Sequence, residues 1–159
     1  MTEAKEIIKF AGLEVHFNLF NSDTNDQVCL FKVVCHPGAK MGVPHYHEHF
    51  DETIYGLKGV TTYTVDGKII ELGPGDPIFI RRGVPHGFAN NSTEMSEFLC
   101  VITPAVFGPE YFREIAAVLN LPGPPDMPRL KDILLKYGLV LVMDNFLSKK
   151  FGVNTMPLL

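Results

Sequence analysis

Two hydrophobic periods divide this chain. Up to about residue 103 apolar and polar positions alternate, and beyond Pro104 apolar residues recur every three or four positions. The first period is that of a half-buried strand, the second that of an amphipathic helix. Leu13, Val15, Phe17 and Leu19 alternate with Glu14, His16 and Asn18, so residues 7–20 read as one strand. Residues 28–36 read as the next, after the polar loop Asn21–Asp26 and before the stop His36-Pro37-Gly38. Val60–Val65 and Lys68–Leu72 flank Asp66-Gly67, the signal of a type I′ hairpin. Residues 77–80 make a short strand and Met95–Thr103 the last. About eight short strands separated by turns predict an antiparallel sandwich or barrel.

Past the barrel, Phe112, Ile115, Ala116 and Leu119 share one face of a helix that starts at Pro109-Glu110. Leu121-Pro122-Gly123-Pro124-Pro125 ends it. A second helix begins near Asp126–Pro128, presents Leu130, Ile133, Leu134 and Tyr137, and stops at Gly138. The apolar run Leu139–Val142 needs cover from the barrel or from a second subunit. The expected division is a β-barrel over 1–104 and a helical extension over 105–159, packed on the barrel as part of the same domain. No internal repeat marks a second barrel.

The 159 residues bound the chain to one domain, and 46% hydrophobic residues supply a core. Net charge is -4 without a basic stripe, which argues against nucleic acid. The longest apolar run is too short to cross a bilayer, and the charged start Met1–Glu6 does not read as a secretion signal. Three cysteines, Cys29, Cys35 and Cys100, fit a reducing compartment better than a disulfide framework. These readings predict a cytoplasmic protein that engages neither membrane nor nucleic acid.

Candidate chemistry concentrates in two stretches. Gly38–Gly59 reads GAKMGVPHYHEHFDETIYGLKG, and Gly75–Asn90 reads GDPIFIRRGVPHGFAN. Residues two apart in a strand share a face, so His45 and His47 point together. Glu52 would point the other way in an unbroken strand, and a turn or bulge between Glu48 and Asp51 would bring it back. His86 has to come from another strand, after the turn Gly83-Val84-Pro85. Three imidazoles and a carboxylate suit one transition-metal ion, iron, manganese, nickel, copper or zinc, rather than calcium or magnesium. His16 falls on a polar face, His36 precedes a proline, and His49 sits in a polar turn; all three read as non-ligands.

The two stretches resemble the motifs of the cupin superfamily, G-(x)5-H-x-H-(x)3,4-E-(x)6-G and G-(x)5-P-x-G-(x)2-H-(x)3-N. His45, His47, Glu52 and Gly59 fit the first; Gly38 lies one residue early, with Gly42 as the other candidate. Gly75, Gly83, His86 and Asn90 fit the second, and Arg81 stands in place of its proline. The resemblance covers roughly 35–103. The tail TPAVFGPEYFREIAAVLN and the segment KDILLKYG resemble those of small, single-domain, quercetinase-like cupins. It implies a double-stranded β-helix (a jelly-roll barrel), His45, His47, Glu52 and His86 as metal ligands, and a homodimer. It also implies an oxygenase acting on a small organic substrate, with Glu52 as metal ligand and proton acceptor. Phe50, Tyr63, Phe79 and Phe88 are candidates for the substrate pocket, at least two of them expected to be plain core. A non-catalytic binding or sensing module is the alternative. A sugar-phosphate isomerase or epimerase is weaker, because Arg81-Arg82 is the one evident cation pair near the site.

Overall fold

The computed structural model describes residues 3–41 and 43–142, so the alternative motif glycine Gly42 and the end of the extension, 143–159, lie outside the described residues. Among the described residues eleven strands form two antiparallel sheets. The first, six-stranded, contains β1 (Glu6–Phe10), β2 (Leu13–Leu19), β3 (Cys29–Cys35), β5 (Asp51–Lys58), β8 (Pro77–Ile80) and β10 (Ser96–Thr103), in the order β1-β2-β3-β10-β5-β8. The second contains β4 (His45–His47), β6 (Thr61–Val65), β7 (Lys68–Leu72), β9 (His86–Ala89) and β11 (Leu139–Leu141), in the order β11-β4-β9-β6-β7. This is the expected jelly-roll barrel, followed by α1 (Pro109–Leu119) and α2 (Met127–Lys136).

Residues 7–20 are not one strand. Ala11 and Gly12 take φ of 47° and 76°, and Phe10 pairs directly with Leu13, which makes a two-residue hairpin. The sequence carries the signal in a phase change. Ile8 and Phe10 are buried before the turn, and Leu13, Val15 and Phe17 after it. An unbroken strand would place those two sets on opposite faces. The Asp66-Gly67 hairpin forms as expected, with φ of 49° and 76° and Val65 paired to Lys68.

Both helices follow the predicted bounds within a residue. Asp126 caps α2 by accepting a hydrogen bond from Arg129 N–H at 3.0 Å, and Gly138, with φ of 76°, ends its last turn. Helix α1 closes one end of the barrel. Its Phe112 ring lies 5.2–6.2 Å from the rings of Phe10, Phe17 and Phe31, all inward residues of β1–β3. Burying such a ring contributes about 1.5–3 kcal/mol. After α2 the chain returns to the barrel. The apolar run is covered by strand pairing: β11 adds to β4 with Leu139, Val140 and Leu141 opposite His47, Tyr46 and His45.

Candidate metal centre

β4 is short, and its burial alternates: His45 and His47 are buried while Tyr46 is half-buried. His86 begins β9 and stands directly opposite His45 in the antiparallel register. Three histidines thus come from one sheet. Glu52 comes from the other, on β5, between Ile102 and Ile80. The chain leaves the second sheet after His47 and joins the first at Asp51, so the reversal expected between Glu48 and Asp51 is a crossing between sheets.

Nitrogens of His45, His47 and His86 lie within 4.8 Å of one another. Glu52 Oε2 is 3.3 Å from His86 Nε2 and 3.9 Å from His47 Nε2. The other carboxylate oxygen, Oε1, accepts a hydrogen bond from the Cys100 thiol at 2.7 Å. His86 Nδ1 donates to the Val84 carbonyl at 2.9 Å, which leaves Nε2 as the free side of that ring. His45 Nδ1, His47 Nδ1 and His86 Nε2 are buried without a hydrogen-bond partner. Unpaired buried nitrogens are costly, and three buried imidazoles this close together, two of them turning Nε2 towards the same carboxylate oxygen, fit a cation that takes their lone pairs.

The electrostatics agree. Burial pushes His45 down to about 3, helped by His86 and His47, and pushes His47 down to about 4. Both are neutral at pH 7, as a ligand must be. Burial also pulls His86 down, but the Glu52 carboxylate outweighs it and leaves the group raised. Burial opposes the charge on Glu52, yet His86, His47 and the Cys100 thiol hold its carboxyl down at about 2.

Arg81 stands where the motif has proline, and the turn forms without it. Gly83 takes φ of 78°, Val84 N–H reaches the Arg81 carbonyl at 3.2 Å, and Gly83 N–H reaches the His47 carbonyl at 2.8 Å. Arg82 anchors the same turn through two guanidinium hydrogen bonds to Asp51, of 3.2 and 2.9 Å. The turn therefore ties the second motif to the histidine strand. Asn90, fully buried, donates to the carbonyls of Cys35 and Glu94.

Of the four pocket aromatics, Phe50 and Phe88 line the space beside the cluster. Phe50 stacks on His47 with ring centroids 4.0 Å apart. Tyr63 is core, packed on Phe88 and Phe98. Phe79 is the correction: it is 60% exposed, because the alternation of β8 turns Ile78 and Ile80 inward and Phe79 out. His49 is exposed, and His16 and His36 bond Glu14 at 3.0 and 3.1 Å, away from the cluster. The sequence reading missed the role of Cys100. The signal was present in β10, where Phe98, Cys100 and Ile102 form the inward series facing β5. It also missed Phe107 and Tyr111, which reach the site from the segment after the barrel.

Residues 31–102 match the family model described as Cupin domain. A 73-residue segment is 36% identical to quercetin 2,3-dioxygenase of Bacillus subtilis (strain 168), covering 46% of this chain and 21% of that protein. The chain therefore spans about a fifth of the length of that relative. A predicted oxalate decarboxylase from Thermotoga maritima superposes with a TM-score of 0.57 at 26% identity, over 64% of this chain and 92% of that one. The polyketide cyclase RemF from Streptomyces resistomycificus superposes with a TM-score of 0.54 at 30% identity, over 60% and 67%.

Proposed function

The chain belongs to the cupin superfamily, and we propose that its barrel holds one transition-metal ion on His45, His47, His86 and Glu52 and acts as an oxygenase on a small organic substrate. The observation that carries this reading is the convergence of three buried imidazoles, His45, His47 and His86, with ring nitrogens within 4.8 Å of one another and with Glu52 beside two of them. The donor set suits iron, manganese, nickel, copper or zinc. When bound, such an ion supplies a Lewis-acidic or redox-active centre with coordination positions left for substrate.

The residues around it have separate tasks. Val84 fixes the His86 tautomer through Nδ1, and Phe50 holds the His47 ring by stacking. Cys100 occupies Glu52 Oε1, so Oε2 is the oxygen that binds or takes up a proton. Phe50, Phe88 and Phe107 make the wall apolar and limit access of water. The likeness to quercetin 2,3-dioxygenase supports oxygen chemistry. Arg82 is committed to Asp51, which weakens the sugar-phosphate reading.

A binding or sensing module is the second reading, favoured by the small volume beside the cluster, about 50 Å³. We further read the protein as a cytoplasmic homodimer. Its three cysteines are buried and free, and Tyr55, Leu57 and Phe79 expose an apolar patch on the outer face of β5 and β8. Among the described residues no helix is long and apolar enough to cross a membrane. We also read the helical extension as part of the same domain as the barrel, a reading supported by the contacts of Phe112 with Phe17 and Phe31. Metal analysis of the purified protein, followed by oxygen uptake with phenols, diketones and flavonols, tests the enzyme reading. Uptake that scales with metal content supports it. Metal-loaded protein that binds panel members without consuming oxygen supports the binding reading instead.

A further inference from the structure

Beyond His45 the space widens. A cleft of about 380 Å³ lies between the barrel mouth and the two helices, against about 50 Å³ beside the histidine–glutamate cluster. The inner space holds a few water molecules, too little for an organic skeleton. The outer one is in the size range of small-molecule sites. Phe10, Leu13, Met41, His45 and Tyr111 line both, so His45 is part of the wall where they meet. The outer side of the cleft comes from Ile115 on α1 and from Met127, Leu130 and Leu134 on α2. Both helices lie beyond residues 31–102, so the cleft is an addition to the cupin barrel.

The lining restricts what fits. Among the described residues around the cleft there is no carboxylate; the one side chain that carries charge at pH 7 is Lys40, which is exposed, while burial keeps His45 neutral. A sugar or polyol would bury hydroxyls against Ile115, Leu130 and Leu134 with nothing to bond them, which is unfavourable. An apolar body loses nothing there. One anionic oxygen is compatible with both ends, beside Lys40 at the rim or past His45 at the cluster.

We propose that this cleft binds the body of an extended apolar molecule ending in one anionic oxygen, a carboxylate, enolate or phenolate. The apolar part lies against α1 and α2, and the oxygen end is directed past His45. The placement of that end rests on the metal reading above; the occupancy of the cleft does not.

The test uses the full chain loaded with cobalt(II) and dansylaminoundecanoate as a fluorescent probe, displaced by decanoate or by a hexose phosphate. The probe is expected to brighten on binding, and decanoate but not the hexose phosphate is expected to displace it. Met127 is 48% exposed, so Met127→Glu puts a carboxylate at the rim of the cleft without disturbing the core. This variant should weaken probe binding by about tenfold or more. Leu135→Glu, the same change at a 45% exposed α2 position that does not line the cleft, should leave binding unchanged. Circular dichroism verifies that both variants fold. Equal affinity in Met127→Glu and the parent, displacement by the hexose phosphate, or no probe binding overturns the proposal. Cobalt stoichiometry is read separately. Failure to bind cobalt in the parent overturns the metal reading, and the effect of Met127→Glu on the probe still decides the cleft.

Discussion

The Cys100 thiol donates to Glu52 Oε1 at 2.7 Å, and this one contact assigns different tasks to the two oxygens of a carboxylate. Oε2 is left facing His86 and His47. β10 and β5 pair antiparallel, with Cys100 opposite Ile54 and Ile102 opposite Glu52, so the thiol sits one inward position away from the carboxylate it holds. Burial and the neighbouring Glu52 push the thiol well above its ordinary pKa, so it stays protonated and remains a donor.

Removing that donor is the first prediction. Cys100→Ala leaves Oε1 unpaired in the barrel, and metal affinity should fall by about tenfold or more, as for other residues that orient metal ligands. Cys100→Ser keeps a donor and should recover most of it. Competitive titration with a chelator measures both. Equal affinities in the alanine and serine variants would show that Cys100 only fills space.

The second prediction separates site histidines from the rest. His47→Ala should lose most bound metal, whereas His16→Ala and His49→Ala should keep it. His16 is occupied by Glu14, and the His49 side chain is exposed. Elemental analysis after gel filtration decides; equal retention in all three would reject the assignment. Bound metal should also dissociate on acidification, because protons compete for the imidazole lone pairs.

Much of this was legible in the sequence, for physical reasons that differ by element. The strand period, the Asp66-Gly67 turn and the two helix faces are local patterns, and each formed where local chemistry placed it. The H-x-H spacing determined that His45 and His47 share a face, a consequence of the pleat alone. The Ala11-Gly12 turn was missed because alanine rarely takes positive φ; only the phase flip between Ile8/Phe10 and Leu13/Val15/Phe17 marked it. The pairing of β11 with the histidine strand, the Cys100–Glu52 bond and the cleft under α2 all depend on contacts between distant segments. No window of the sequence contains them.

A third prediction concerns stability and pH away from the site. Glu14 is held at about 2, well below the 4.5 of a free glutamate, by hydrogen bonds from His36 and His16 and by Lys9, with burial opposing. A depressed carboxylate stabilises the fold fully above its unfolded pKa, and that contribution is lost as pH falls towards the folded value. Glu14→Gln should therefore lower stability at neutral pH by on the order of 1 kcal/mol, allowing for solvent screening. The deficit should shrink between about pH 4.5 and pH 2. Thermal melts of both proteins across that window measure it; a constant difference would contradict the linkage.

The last prediction asks whether Glu52 works or only holds. Burial resists its charge, but His86 and His47 keep the carboxylate ionised, so at neutral pH Oε2 is a lone-pair donor able to accept a proton. Glutamine has almost the same shape. It still presents a carbonyl oxygen to an ion or to Cys100, but its amide takes up no proton at neutral pH. Glu52→Gln should therefore fold, keep a measurable share of its metal, and lose turnover by about 10²–10⁴-fold, the usual contribution of a positioned base. The comparison needs equal metal loading, since rate lost with metal reports ligation instead. A glutamine variant that matches the parent rate per bound ion would make Glu52 a ligand without a proton-transfer role.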